Sequence, residues 1–362
     1  MADADPPRRS PRTYLVAAVA LVAVAVGAVV YASRTDPRRL AGAVDPGHLP
    51  VGAAAPGLAG ATGWLNSPPL APADLAGKVV VYDFWTYSCV NCVRTLPYVR
   101  AWYQRYQADG LVVVGVHSPE FDFEKVPANV AAAVTRLGVT WPVALDPDHA
   151  IWDRFANNYW PAKYVADRSG RLRYHHFGEG DYATGEDVLR SLLGVDPSSP
   201  RAAAPGATAP TDQADTSVTA ETYLGLARGD DGVRPGRSTY DEPGPLAPGD
   251  ARLAGDWTAA QDDVVAGGAG SAVVLAYRAK EVNLVLAPPP DGPVDVEVTL
   301  DGQPLPAADR TADTVVEADG TTVVHVDRSD MFRLVLGPAV EVHTLRLSAR
   351  SPGVAAFAFT FG

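Results

Sequence analysis

The chain has 362 residues, 47% of them hydrophobic, and a formal charge of -12. It is long enough for two domains and apolar enough for a packed core. It lacks the basic stripe that phosphate neutralisation needs, which excludes nucleic-acid binding.

From Thr13 to Tyr31, "TYLVAAVALVAVAVGAVVY" carries no charge and has the length of a bilayer-crossing helix. Residues 1–12, with Arg8, Arg9 and Arg12, read as a cytoplasmic tail, and 13–31 as a transmembrane anchor. A cleaved secretory signal and twin-arginine export at Arg8-Arg9 are the alternatives. All three place the chain beyond Ala41 outside the cytoplasm, and the anchored form would be a single-pass protein of the cell membrane. Residues 41–63 lack periodicity and read as a tether.

From Trp64 the texture changes. "KVVVYDF" is a buried strand, and Leu96, Val99, Trp102, Tyr103 and Tyr106 have helical spacing. "LVVVGVHS" is a second strand, "ANVAAAVTRLG" a helix closed by Gly138, "WPVALD" a third strand and "DHAIWDRFA" a short helix. "AKYVAD" and "LRYHHFG" form a hairpin joined by "RSGR", and "GEDVLRSLLG" is the closing helix. This order predicts a small α/β unit with a mixed sheet over 64–195. Residues 196–215, rich in Pro, Ala and Ser, read as a linker. From 216 to 362, short alternating runs divided by Gly, Pro and Asp predict an all-β sandwich, jelly-roll-like.

The chemistry gathers at Cys89 and Cys92, the two cysteines of the chain. A C-x-x-C pair can be a structural disulfide, half of a zinc site or a redox pair. Zinc needs four ligands, and the seven histidines are scattered. A disulfide across two residues removes little unfolded-chain entropy. Redox chemistry is the better explanation. A helix starting at Cys89 would favour thiolate there through its unpaired N–H groups and macrodipole, making Cys89 the nucleophile and Cys92 the resolving thiol. Asp83, inside the apolar run, would relay a proton to or from Cys92 if buried; an exposed strand-end Asp is the alternative.

"VYDFWTYSCVNC" resembles the active-site strand and helix of thioredoxin-fold proteins, and "WLNSPPLAPADLAGKVVVYDFW" is similar to the entry segment of their TlpA-like, membrane-tethered branch. "NNYWPAKYVADRSGRLRYHHFGEG" resembles the later hairpin, where that fold places a cis-proline facing the thiols; Pro161 matches it, an ordinary edge-strand proline being the alternative. "ETYLGLAR", "LAGDWT" and "AFAFTFG" resemble the C-terminal, carbohydrate-binding-module-like region of DipZ proteins. The likeness implies a thioredoxin-like domain followed by the sandwich. It further implies a thiol–disulfide oxidoreductase acting on protein thiols and disulfides, with no cofactor beyond the redox-active pair. The direction implied is that of a reductase in cytochrome c or exported-protein maturation. DipZ proteins carry a CcdA-like electron-transfer domain ahead of this region; here one apolar segment precedes it, so a separate CcdA-like donor would supply electrons.

Two other readings stand beside this one. Thr86 and Cys89 give the T-x-x-C of peroxiredoxins, although Tyr82 stands where those antioxidant enzymes carry Pro. The C-terminal domain could bind cell-surface glycan, with Trp257, Tyr277 and Phe332 as a platform or, as aromatics on alternating strands usually are, as core.

Overall fold

Every residue of Val79–Trp85 (β2) is buried, because this strand is central in its sheet and has neighbours on both edges and both faces. In the computed structural model the described residues are 45, 48–203, 218–229 and 232–362. The apolar run 13–31 and most of the linker lie outside them. Among the described residues no helix is long and apolar enough to cross a membrane. The chain divides into two units, residues 1–49 and 50–362, and the second holds everything that follows.

The first sheet contains β1 (Gly63–Leu65), β2, β3 (Leu111–His117), β4 (Val143–Leu145), β5 (Ala162–Ala166) and β6 (Leu172–Phe177), in the order β1-β4-β3-β2-β5-β6. Strands β2, β3 and β4 run parallel, and the hairpin β5–β6 joins antiparallel to β2. Helix α1 (Pro72–Leu75) precedes β2, and α2 (Val90–Tyr106) crosses from β2 to β3. Leu96, Val99, Trp102 and Tyr106 of α2 are buried, so this side of the predicted apolar stripe faces the core, whereas Tyr103 is only half-buried. Helices α3 (Pro127–Arg136), α4 (Ala150–Arg154) and α5 (Tyr182–Leu193) complete the unit. The closing helix begins at Tyr182, three residues before the predicted start.

Two stretches read as spacers are partly built into this unit. In 41–63, the backbone of Gly52 and Ala55 donates to Leu172 and Gly170, while Gly63 pairs with Leu145 in β1. After α5, Arg190 donates to the carbonyls of Asp196, Pro197, Ser199 and Pro200. One guanidinium thus fastens the start of the 196–215 segment to the helix, because carbonyl-rich turns offer convergent acceptors to its fixed fork of donors.

The second sheet holds eleven strands: β7 (Thr222–Tyr223), β8 (Gly236–Tyr240), β9 (Ala251–Ala259), β10 (Val264–Ala266), β11 (Ala272–Ala287), β12 (Val294–Leu300), β13 (Gln303–Pro304), β14 (Thr314–Val316), β15 (Thr322–Val326), β16 (Asp330–Ala349) and β17 (Ala355–Phe361). Strands β11 and β16 are long and pair along most of their length, with register shifts between Ala279 and Asn283. Before the shift Val273, Leu275 and Tyr277 enter the main core; after it Val282, Leu284 and Leu286 do. The irregularity exchanges odd for even positions, so both halves of one strand feed the same core. Trp257, Tyr277 and Phe332 are at most 2% exposed within it. That corrects the glycan-platform reading of these three rings, since none offers a face to solvent.

Candidate active site

Cys89 is the N-cap of α2: its Sγ accepts the backbone N–H of Cys92 at 3.2 Å. This is one of the donors that a helix start leaves unpaired, at the end of the helix where negative charge is stabilised. The Cys92 thiol lies one turn on and points at Cys89, with 2.6 Å between the sulfurs. Cys89 is partly exposed, whereas Cys92 is buried. Burial, then the contact with Cys89, pushes the Cys92 thiol well above the ordinary cysteine range. The pair therefore has one accessible sulfur and one protonated, sheltered one.

Asp83 is fully buried in β2, because the alternation that turns Tyr82 and Phe84 to one face turns Asp83 to the other. Across the β2–β5 ladder it faces Lys163, whose Nζ is 3.7 Å from Oδ1. At that distance the two form an ion pair and not a hydrogen bond. Burial raises the Asp83 carboxyl above the usual carboxylate range, and the Lys163 charge opposes that rise. Asp83 also acts on Cys92, disfavouring thiolate there when ionised.

The Trp160–Pro161 peptide bond is cis. Because Ala162 pairs with Phe84, Pro161 lies level with the end of β2, where the chain leaves for Cys89. The turn before it is pinned by Trp160 Nε1, which donates to the carbonyl of Ser118 at 3.0 Å, and by the Trp160 ring, which packs tilted against that of Trp152 with centroids 4.3 Å apart. The structure thus sets Cys89 and Cys92 in contact, with Asp83 buried in the strand that leads to them and Pro161 at the same end of the sheet.

Three further features were not singled out from sequence. Lys163 is one; in a hairpin strand it reads as a solvent-facing residue. Glu124 is another. It is buried, and its carboxylate accepts from Ser88 Oγ at 2.7 Å, from the Ser88 backbone at 3.3 Å, and from the backbone of Glu120 and Phe121. It therefore fastens the loop that delivers Cys89. Burial raises its proton affinity, and these hydrogen bonds counter it. The buried His117 beside it contacts Thr86 Oγ1 at 3.3 Å, and burial lowers it to about 3, so it is a neutral ring near pH 7.

The third feature is the second domain itself. Val90, the residue after Cys89, packs in one apolar cluster with Phe121, Val285, Ala287, Met331, Phe357 and Ala358. Phe357 meets Phe121 and Phe123, each with ring centroids 5.0 Å apart. Polar contacts flank the cluster: Arg94 with Glu281 at 2.9 Å, Arg228 with Glu120 at 2.7 Å, and Arg136 with Asp330. One side of the thiol helix is therefore walled by the β-sheet domain. The sequence feature that meets this wall is the pair of phenylalanines at 121 and 123.

No group of three or more metal-ligating side chains converges among the described residues.

Residues 51–175 match the AhpC/TSA family, and residues 219–362 match the family described as thioredoxin like C-terminal domain. The chain is 37% identical over 317 residues to Protein DipZ of Mycobacterium tuberculosis, across 85% of this chain and 43% of that protein. NHL repeat-containing protein 2 of Bos taurus is 41% identical over 120 residues, across 32% of this chain and 16% of that protein. Thiol-disulfide oxidoreductase YkuV of Bacillus subtilis is 35% identical over 123 residues, across 34% of this chain and 82% of YkuV. The chain thus spans less than half the length of the DipZ protein it matches.

Proposed function

The chain belongs to the thioredoxin-like thiol–disulfide oxidoreductases, and from that premise we propose that it reduces disulfides of protein clients outside the cytoplasmic membrane, tethered by residues 13–31. The observation that carries the reading is the pair of sulfurs 2.6 Å apart at the start of α2, with Cys89 partly exposed and Cys92 buried.

Cys89 thiolate attacks one sulfur of the client disulfide; the new S–S bond is a mixed disulfide, and the other client sulfur leaves as thiolate. Asp83 carboxylate takes the proton of Cys92. The Cys92 thiolate then attacks Cys89 Sγ, which closes the intramolecular disulfide and expels the second client sulfur. Two electrons pass from the cysteine pair to the client. Pro161, level with the end of β2, shapes the groove in which the client strand docks. A separate CcdA-like membrane donor returns the electrons, and exported proteins or apocytochromes c are the clients. The domain limits follow from the same reading: 64–195 for the thioredoxin-like unit, 196–215 for the linker and 216–362 for a sandwich related to carbohydrate-binding modules.

The test is the reduction potential of the Cys89/Cys92 pair, measured by equilibration against thiol buffers. A value near or below about -270 mV supports a reductase. A value near about -120 mV means an oxidant that donates its disulfide, and overturns the direction proposed. Turnover of hydrogen peroxide faster than of a protein disulfide would overturn the reaction class.

A further inference from the structure

Ser88 and Val90, the residues on either side of the accessible thiol, are 1% and 3% exposed. Ser88 is fastened within its own domain by Glu124. Val90 is covered by the other domain, in the cluster with Val285, Met331, Phe357 and Ala358. Both sequence neighbours of a partly exposed nucleophile are thus closed to solvent, and residues from the far end of the chain close one of them.

This cover is braced around its edge. Arg94, one turn after Val90, donates to Glu281 of β11 at 2.9 Å with one arm and to Glu179 at 3.4 Å with the other. Glu120 accepts from Tyr223 Oη at 2.8 Å and from Arg228 Nη1 at 2.7 Å, and the Arg228 guanidinium lies 3.7 Å over the Tyr223 ring. Asp330 accepts from Arg136 and from Arg328. An apolar centre ringed by charge-assisted pairs is the anatomy of a specific interface, so the second domain stands beside the thiols in one register. The turn before Pro161 is the open side: Tyr159 is 42% exposed and Trp160 is half-buried.

Exchange demands close approach. The attacked sulfur must come within about 3.5 Å of Cys89 Sγ, with the leaving sulfur in line behind it. A cysteine sulfur stands one carbon from its main chain, so the client backbone must descend to the level of the first turn of α2. An extended segment does this along the Pro161 side. A disulfide lying flush with a broad folded surface does not, because that surface meets the second domain before the sulfurs meet.

We propose that the second domain is one wall of the client groove and that Phe357 is a specificity-determining residue within it, confining exchange to disulfides carried on extended or unfolded segments. The proposal rests on the disulfide-exchange reading and names the class of client for that same site. Discrimination comes from a built-in clash with the wrong partner. The bonds made and broken, and the two electrons passed, remain those of the exchange itself. Phe357 acts by position: it meets Phe121 and Phe123, each with ring centroids 5.0 Å away, and so holds the wall beside Val90.

The test is the second-order rate constant of the pre-reduced full chain on two probes. In one, a fluorescent thiol is joined by a disulfide to a cysteine in a short unstructured peptide; in the other, to a cysteine on the flat face of a folded carrier domain. Rates on hydroxyethyl disulfide, too small to meet the wall, normalise for the reactivity of Cys89 in each variant. Wild type should prefer the peptide probe by about tenfold or more. Phe357→Ala should cut that preference about fivefold by raising the carrier rate, and Phe357→Leu should restore most of it. Loss of packing alone would lower both rates and leave their ratio in place. Equal rates on the two probes in wild type overturn the proposal, as does a folded Phe357→Ala protein with the wild-type ratio. If Phe357→Ala fails to fold, Met331→Ala, in the same cluster, decides: an unchanged ratio overturns the wall. Wild type that leaves all three disulfides intact overturns the exchange reading itself, a result distinct from the others.

Discussion

Glu124 Oε1 accepts both the hydroxyl and the backbone N–H of Ser88, at 2.7 and 3.3 Å, so the residue before the accessible thiol is held by a side chain from 36 positions further along the chain. Loops that carry reactive groups need such fastening, because otherwise the nucleophile samples many positions. Glu124→Ala leaves four donor contacts unmet in a buried site. It should cost about 3 kcal/mol in chemical denaturation. Glu124→Gln, which keeps an acceptor, should cost less than Glu124→Ala.

Stability should fall as pH rises. Asp83 and Glu124 are both held above the ordinary carboxylate range by burial. A carboxyl whose folded proton affinity exceeds its unfolded one contributes stability that is complete below the unfolded value, near about pH 4. That contribution is lost as pH climbs through the folded value. Denaturation midpoints measured along a pH series should decline over this window, and Glu124→Gln should flatten part of the slope. A slope of the opposite sign attributable to Glu124 would contradict the burial argument.

Lys163 holds the Asp83 carboxyl down. Lys163→Met should therefore raise Asp83 further and leave less carboxylate to take the Cys92 proton near pH 7. Disulfide turnover should slow at neutral pH and recover as pH increases, by about tenfold for each pKa unit that Asp83 gains. Turnover equal to wild type at pH 7 would mean that the ion pair does not govern this step.

Phe357 carries much of the contact between the domains through Phe121 and Phe123. Truncating it to Ala should cost about 3 kcal/mol. Calorimetry should then resolve two transitions where wild type should unfold in one, and hydrogen exchange should rise at 120–124 and at the start of α2. A single transition with unchanged exchange at 120–124 would show that the polar contacts suffice.

Arg190 ties residues 196–200 to α5 through four backbone carbonyls. Arg190→Ala should release that segment, and limited proteolysis should cut within 196–203 faster than in wild type. The thiol chemistry should be unaffected, since none of these contacts reaches α2 near the cysteines.

Local information was enough for much of this molecule. Apolar runs such as 79–85 and 111–117 announce buried central strands, and the 96, 99, 102, 106 spacing announces the buried face of α2, because each pattern repeats with the period of the backbone that carries it. The two-residue spacing of Cys89 and Cys92 reads directly as one turn of helix. What tertiary structure alone decided lies in pairings between distant positions: Lys163 opposite Asp83 through strand register, Glu124 beneath Ser88, Arg94 shared between Glu179 and Glu281, and Phe357 against Phe121. A charged residue in a hairpin or an acid in a loop carries no mark of its partner in its own neighbourhood. Its burial and its charge become meaningful only when another part of the chain closes over it.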